Sequence, residues 1–164
     1  MPSSKVTFAK LIGTVDYQTA CIGKWDVSNN IPIVDRMPNA KGFDYYFGAF
    51  GANDGGKVKF HEKNETAGES LDMASLTRMY TSKAIHYLKK QRDPSHLFIL
   101  YLARAMMHAV VDASPKFKGT SKSGLFGDAV EEFDFETGRL LDTLDALSLR
   151  DNTLVIYASD YSPH

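Results

Sequence analysis

Three residues that follow strand-length apolar runs could do chemistry together: Lys24, His108 and Asp160. Lysine supplies a compact positive charge for an anionic oxygen. A neutral imidazole can donate a hydrogen bond, shuttle a proton or ligate a metal. An aspartate at a strand end is a common oxygen ligand for Mg²⁺ or Ca²⁺. In open parallel sheets ligands bind beyond the carboxyl ends of the strands, so these types in these places point to an anion site, a divalent-metal site, or both. Trp25, Asp26, Arg104 and Tyr161 follow the same three runs and are expected on the same edge.

Periodicity names the elements that must position them. Val6, Ala9, Leu11 and Ile12 suggest a short first helix, with Ser3 and Ser4 as caps. YQTACIG (17–23) reads as a strand closed by Gly23. Residues from about 28 to 70 keep no period and are expected to form an irregular excursion that carries an aromatic cluster, GFDYYFGAF, and the glycine-rich GANDGG. From Met73 to 91 the helical spacing is regular: Met73, Leu76, Tyr80, Ala84, Tyr87 and Leu88 share a face. LFILYLA (97–103) is a continuous apolar run of the kind buried on both sheet faces. A second long helix follows over 126–147, its acidic EEFDFE (131–136) read as a solvated face, and NTLVIYASD (152–160) reads as a third strand. Strands separated by helices of this length imply right-handed crossovers. The expected class is α/β: a layered, mainly parallel sheet flanked by helices, in a single domain spanning 1–164.

Composition narrows the function classes. The 164 residues are 43% hydrophobic and 24% charged with a net charge of −1, values of a folded domain with no bulk preference for nucleic acid. No apolar run reaches the ~18 residues of a membrane-spanning helix. The first ten residues lack the apolar core of a signal peptide, so the chain as written is expected to be cytoplasmic. Cys21 is the single cysteine, which excludes an internal disulfide and a cysteine zinc cage; its expected role is a buried structural thiol. His61 and His96 read as loop or turn residues and His86 as a surface or boundary residue of its helix.

Several ordered stretches then carry a family resemblance. TVDYQTACIGKWDVS resembles the sulfatase segment in which a strand ends in G-K-W-H-L-G. KGFDYYFG is similar to the G-F-D-x-F-x-G that follows it. LFILYLARAMMHAVVDASPKFKG resembles the sulfatase stretch ending in M-P-H and S-P-x-F-x-G, and SGLFGDAVEEFDFETGRLLDTLDALSLRDNTLVIYASDYSP resembles the stretch that ends in S-D-N-G. The likeness runs from about residue 6 to 163. It implies an arylsulfatase-type member of the alkaline phosphatase superfamily, an alkaline-phosphatase-like fold and hydrolysis of sulfate esters. In that family a Cys or Ser of a C-x-P-S-R segment becomes the formylglycine nucleophile, and a Ca²⁺ or Mg²⁺ ion is bound. Carried over by position, the resemblance makes Lys24 a sulfate-oxygen contact, His108 a sulfate contact and general acid, and Asp160 a metal ligand. Family members are often periplasmic, secreted or lysosomal.

The departures from the pattern shape the remaining expectations. Asp26 stands where the family has a histidine, placing a carboxylate beside an anion site. Tyr161 stands at the position of a metal-binding Asn, and a phenol is a poorer ligand for a hard cation. Met107 replaces the proline before His108, and Arg104 replaces a frequent histidine. These residues contain no C-x-P-S-R segment, so no formylglycine is expected, and the Ca²⁺ or Mg²⁺ site is incomplete. The expected protein is a truncated, catalytically impaired sulfatase-like chain that takes a sulfate ester or another small anion. The alternatives are a non-catalytic binding or assembly module, self-associating or recruiting a partner chain through an exposed sheet edge, and an ester or phosphoester hydrolase using Lys24, His108 and Asp26.

Overall fold

The computed structural model describes residues 4–25, 34–108 and 110–159. Its centre is a five-stranded mixed sheet in the order β4-β3-β2-β1-β5. The strands are β1 (Tyr17–Lys24), β2 (Tyr45–Ala49), β3 (Val58–Glu62), β4 (Glu65–Ser70) and β5 (Leu97–Ala103). β1 pairs in parallel with β2 on one side and β5 on the other, while β2-β3-β4 is an antiparallel meander. Three helices flank the sheet: α1 (Phe8–Ile12), α2 (Leu76–His86) and α3 (Gly124–Ala146).

The two sheet faces bury different sets of side chains, as the alternation of a strand requires. Ala20 and Ile22 of β1 join Tyr45, Phe47, Phe60 and the α2 residues Leu76, Tyr80 and Ala84 in the larger core. Cys21 points the other way, into a smaller core with Trp25, Phe43, Tyr46 and Phe50. The thiol is fully buried, and burial pushes its pKa up, so it packs as an inert apolar group. All six residues expected on the inner face from Met73 to Leu88 are buried. Past His86 the helix loosens into a π turn (Tyr87–Gln91) that still buries Tyr87 and Leu88.

Several expectations are corrected. Thr7, not Ser3 or Ser4, caps α1: its hydroxyl oxygen accepts from the Lys10 amide at 3.1 Å, and it also donates to the Lys41 carbonyl. The stretch from 28 to 70, expected to be irregular, holds β2, β3 and β4. β2 is buried along its whole length, so it shows no alternation. β4 is almost wholly exposed and shows no apolar residue but Ala67. His61 lies in β3 rather than a loop, its ring stacked on Phe50 at 3.9 Å.

Among the described residues β5 is an edge strand, not one buried on both faces: no residue of it is fully buried, and Leu97 and Tyr101 are exposed. Residues 153–159, expected as a strand, join no sheet among the described residues. The acidic run of α3 is not wholly solvated. Glu132 and Glu136 are buried; Glu132 accepts from the Ser114 amide at 2.7 Å and Glu136 pairs with Arg139 at 2.7 Å. No helix among the described residues is long and apolar enough to cross a membrane.

Candidate functional site

The carboxyl ends of β1, β2 and β5 meet at a glycine-dependent junction. Gly23 is paired with Gly48 of β2 and Ala103 of β5. It holds φ +116°, and a Cβ there would stand 1.8 Å from the Ala103 carbonyl oxygen. A Cβ at Gly48 would stand 1.7 Å from the Gly23 carbonyl oxygen. Only glycine at positions 23 and 48 allows the three backbones to come this close. The Tyr46 hydroxyl, itself in the smaller core, donates to the Gly23 carbonyl at 3.3 Å.

Lys24 follows directly, half-buried, as the last residue of β1. Its successor is clamped. The Trp25 amide donates to the Ala49 carbonyl at 2.8 Å, its indole N–H donates to the Arg36 carbonyl at 2.7 Å, and its ring meets Phe43 edge-on at 5.8 Å. At the opposite end of the strand, Asp44 of the G-F-D segment accepts from the Thr19 amide at 2.8 Å and lies 2.9 Å from the Thr19 hydroxyl. That aspartate fixes the start of β2 against β1. The result is a lysine held in place by rigid backbone on both sides.

His108 reaches the same edge from the loop after β5. Its Nδ1 lies 2.6 Å from Oδ1 of Asp54, in the glycine-rich loop between β2 and β3. An ionised carboxylate only accepts, so Nδ1 carries the proton and Nε2 is left for other work. A second bond joins the same two loops. Asn53, fully buried, donates from Nδ2 to the Val110 carbonyl at 3.1 Å. Met107, immediately before His108, holds φ +81°, a strained value for a residue with a side chain. Sequence reasoning missed Asp54 entirely, because 54 residues separate it from its partner. The only available signal was an acidic residue in a glycine-rich loop that follows a strand.

Arg104 does not join the site. It turns under α3, where its guanidinium donates to the Phe133 carbonyl at 3.0 Å, the Thr137 hydroxyl at 2.7 Å and the Thr81 hydroxyl at 3.2 Å, and lies 4.3 Å over the Phe133 ring. Burial lowers its proton affinity, which Glu136 and Tyr157 oppose. Its role is to tie β5 to α2 and α3. His96 sits in a turn with Asp93, and His86 is exposed on α2, both as expected.

Asp26, Asp160 and Tyr161 lie outside the described residues. Among the described residues no group of three or more His, Cys, Asp or Glu could hold a metal ion. The described residues therefore do not by themselves build the Ca²⁺ or Mg²⁺ site that the family implies. Beside the Asp54 loop, a depression of about 290 Å³ is bordered by Phe50, Lys57, Lys59 and His61. Burial, helped by the Lys59 charge, lowers the His61 pKa below its ordinary 6.5.

Comparison with known proteins shows what the chain as a whole resembles. The chain is 33% identical to mouse N-acetylgalactosamine-6-sulfatase over 98% of its own length and 33% of that protein's. It is 23% identical to mouse arylsulfatase G, over 99% of this chain and 37% of that one. It thus spans about a third of the length of the curated relatives it matches. A solved protein from a glycosaminoglycan-metabolism locus of Bacteroides thetaiotaomicron superposes with TM-score 0.74 at 20% identity, over 93% of this chain and 44% of that one. A solved complex with D-glucosamine-2-N,6-O-disulfate superposes with TM-score 0.67 at 15% identity, over 93% of this chain and 49% of that one. At those identities the likeness carries the fold, which is the alkaline-phosphatase-like one of the sulfatases. The family model for sulfatases matches residues 2–164, and the chain belongs to the sulfatase family.

Proposed function

We propose that these 164 residues form part of a sulfatase oxyanion site, one that binds a sulfate ester or another small anion without turning it over unaided. The observation that carries the binding half is the placing of Lys24 and the Asp54–His108 pair on the carboxyl edge of adjacent strands. Lys24 supplies positive charge at a fixed strand end. His108, with Nδ1 committed to Asp54, uses Nε2 toward the ligand. Protonated, Nε2–H donates to an anionic or leaving-group oxygen; neutral, Nε2 accepts. The pair is about half exposed, so its worth lies in orientation rather than in stability.

The impairment half rests on the sequence. Residues 1–164 contain no C-x-P-S-R segment to supply a nucleophile, and Asp26 and Tyr161 replace a histidine and an asparagine of the family pattern. Groups that act as a unit lose most of the rate when one is removed.

The test is calorimetric titration with inorganic sulfate, run beside p-nitrophenyl sulfate hydrolysis. The expected result is saturable sulfate binding, weakened by about fivefold or more in Lys24→Ala, consistent with the loss of a charge-assisted contact, and product release no faster than buffer. Absence of saturable binding would overturn the binding half. Turnover abolished by Lys24→Ala or His108→Ala would overturn the impairment half.

A further inference from the structure

The loop that carries His108 is closed at its neck. Met106 and Ala113 are buried in the larger core, and the Asp112 amide donates to the Met106 thioether sulfur at 3.2 Å. A closed neck fixes the feet of such a loop and leaves the direction of its tip to other contacts.

Two buried polar side chains from other parts of the chain supply that direction. Asn53, fully buried in the loop after β2, donates from Nδ2 to the Val110 carbonyl at 3.1 Å. Glu132 of α3, 2% exposed, accepts from the Ser114 amide at 2.7 Å. Val110 and Ser114 follow His108 by two and six residues. Burying an amide or a carboxylate is costly unless it is hydrogen-bonded, and an amide donating to a carboxylate is among the stronger such bonds. Here both bonds go to backbone of the His108 segment, so they set where that segment runs. Asn53 also adjoins Asp54, so its link fixes the spacing of the two loops whose side chains meet in the Asp54–His108 contact.

The same face of α3 continues the fastening, since residues three and four apart on a helix are neighbours. Asp128 accepts from the Gly119 and Ser121 amides, each at 2.8 Å, and these bonds hold its carboxyl below the ordinary 3.8. Glu131 accepts from the Thr120 hydroxyl at 2.7 Å. The loop lies so close to the helix there that a Cβ on Gly127 would stand 2.2 Å from the Ser121 hydroxyl oxygen.

We propose that Asn53 and Glu132 are positioning residues for His108. Together they hold its loop at the height and angle at which Nδ1 meets Asp54 and Nε2 is turned to the ligand. Each acts through backbone, at Val110 and at Ser114. The inference rests on the anion-site reading of His108 and adds that α3, through its acidic face, sets the geometry of that site.

The experiment is imidazole ¹⁵N NMR of the free chain, followed by calorimetric titration with inorganic sulfate. In Asn53→Leu and Glu132→Leu, His108 is expected to pass from one tautomer to a mixture, and the sulfate Kd to rise roughly threefold to tenfold. Asn53→Ala and Glu132→Ala carry the same expectation where a leucine does not fold. Glu132→Gln keeps a carbonyl acceptor for the Ser114 amide and should restore most of the parental tautomer ratio. Asp128→Ala removes two bonds rather than one, so it should lower the denaturation midpoint at least as much. Its contacts lie eleven and thirteen residues beyond His108, so the tautomer ratio should stay parental. A tautomer shift that simply follows lost stability, Asp128→Ala included, would overturn the proposal. So would a parental ratio in folded variants of Asn53 and Glu132. The NMR readout needs no ligand: the expected shifts in a chain that binds no sulfate would remove the anion reading and leave the positioning of His108 standing.

Discussion

Asp54 Oδ1 lies 2.6 Å from His108 Nδ1, joining the loop after β2 to the loop after β5 across 54 residues of sequence. The contact fixes which imidazole nitrogen faces outward on the edge that Lys24 shares. Asp54 touches no reacting atom in this arrangement and is a positioning residue.

Asp54→Ala is expected to leave the fold intact, since both side chains are substantially exposed. It should release His108 to populate the other tautomer, which ¹⁵N NMR of the imidazole reads directly. Sulfate affinity should fall by roughly threefold to tenfold, while Asp54→Glu, which keeps the carboxylate, should recover part of it. An unchanged tautomer ratio in Asp54→Ala would refute the positioning role.

Gly23→Ala and Gly48→Ala each place a methyl group within 2 Å of a neighbouring backbone oxygen that cannot rotate away. Each is expected to destabilise by roughly 3 kcal/mol or more, by parting the strands at their carboxyl ends and, at Gly23, by forbidding φ +116°. Chemical denaturation measures the loss. Gly55→Ala, where an added Cβ meets nothing within 4 Å, is the matched control and should change stability by less than about 1 kcal/mol.

Met107 holds φ +81° directly before His108. Proline, the residue of the family pattern, is locked near −65° and cannot adopt it. Met107→Pro is therefore expected to cost roughly 2–3 kcal/mol and to separate His108 from Asp54. Met107→Gly should be neutral or slightly stabilising. Thermal melts rank the three proteins, and a Met107→Pro protein as stable as the parent would show that this turn adapts freely.

The fold disfavours the charged form of His61, chiefly through burial beside Phe50 and secondarily through the Lys59 charge. Its folded pKa lies below the ordinary 6.5, so the unfolded chain takes up the proton first as pH falls. Stability should be undiminished above about pH 7 and should decline as pH falls through 6.5 toward the lower folded value. His61→Gln should flatten this part of the profile. Denaturant midpoints between pH 7.5 and 5 supply the comparison, and identical slopes for parent and variant would exclude His61 as the cause.

Much of this protein is written in local pattern. The 3.6-residue spacing from Met73 to Leu88 determines the buried face of α2, because a helix must turn that stripe inward. The runs 17–23 and 97–103 determine β1 and β5, and G-K-W determines where Lys24 leaves the sheet. Local pattern fails where its physical cause is absent. β2 is buried throughout and β4 is exposed throughout, so neither alternates, and their antiparallel pairing comes only from the meander. Arg104 follows a strand as a site residue does, but Phe133, Thr137 and Thr81 form a donor-accepting cage beneath α3 that only packing could place there. TLVIYAS has strand composition, yet a strand also needs a neighbour, and none lies beside it among the described residues. The Asp54–His108 contact is the same lesson at the site. Each residue type is visible in the sequence, but their meeting depends on two loops brought together by β1 standing between β2 and β5, and that is a property of the folded sheet.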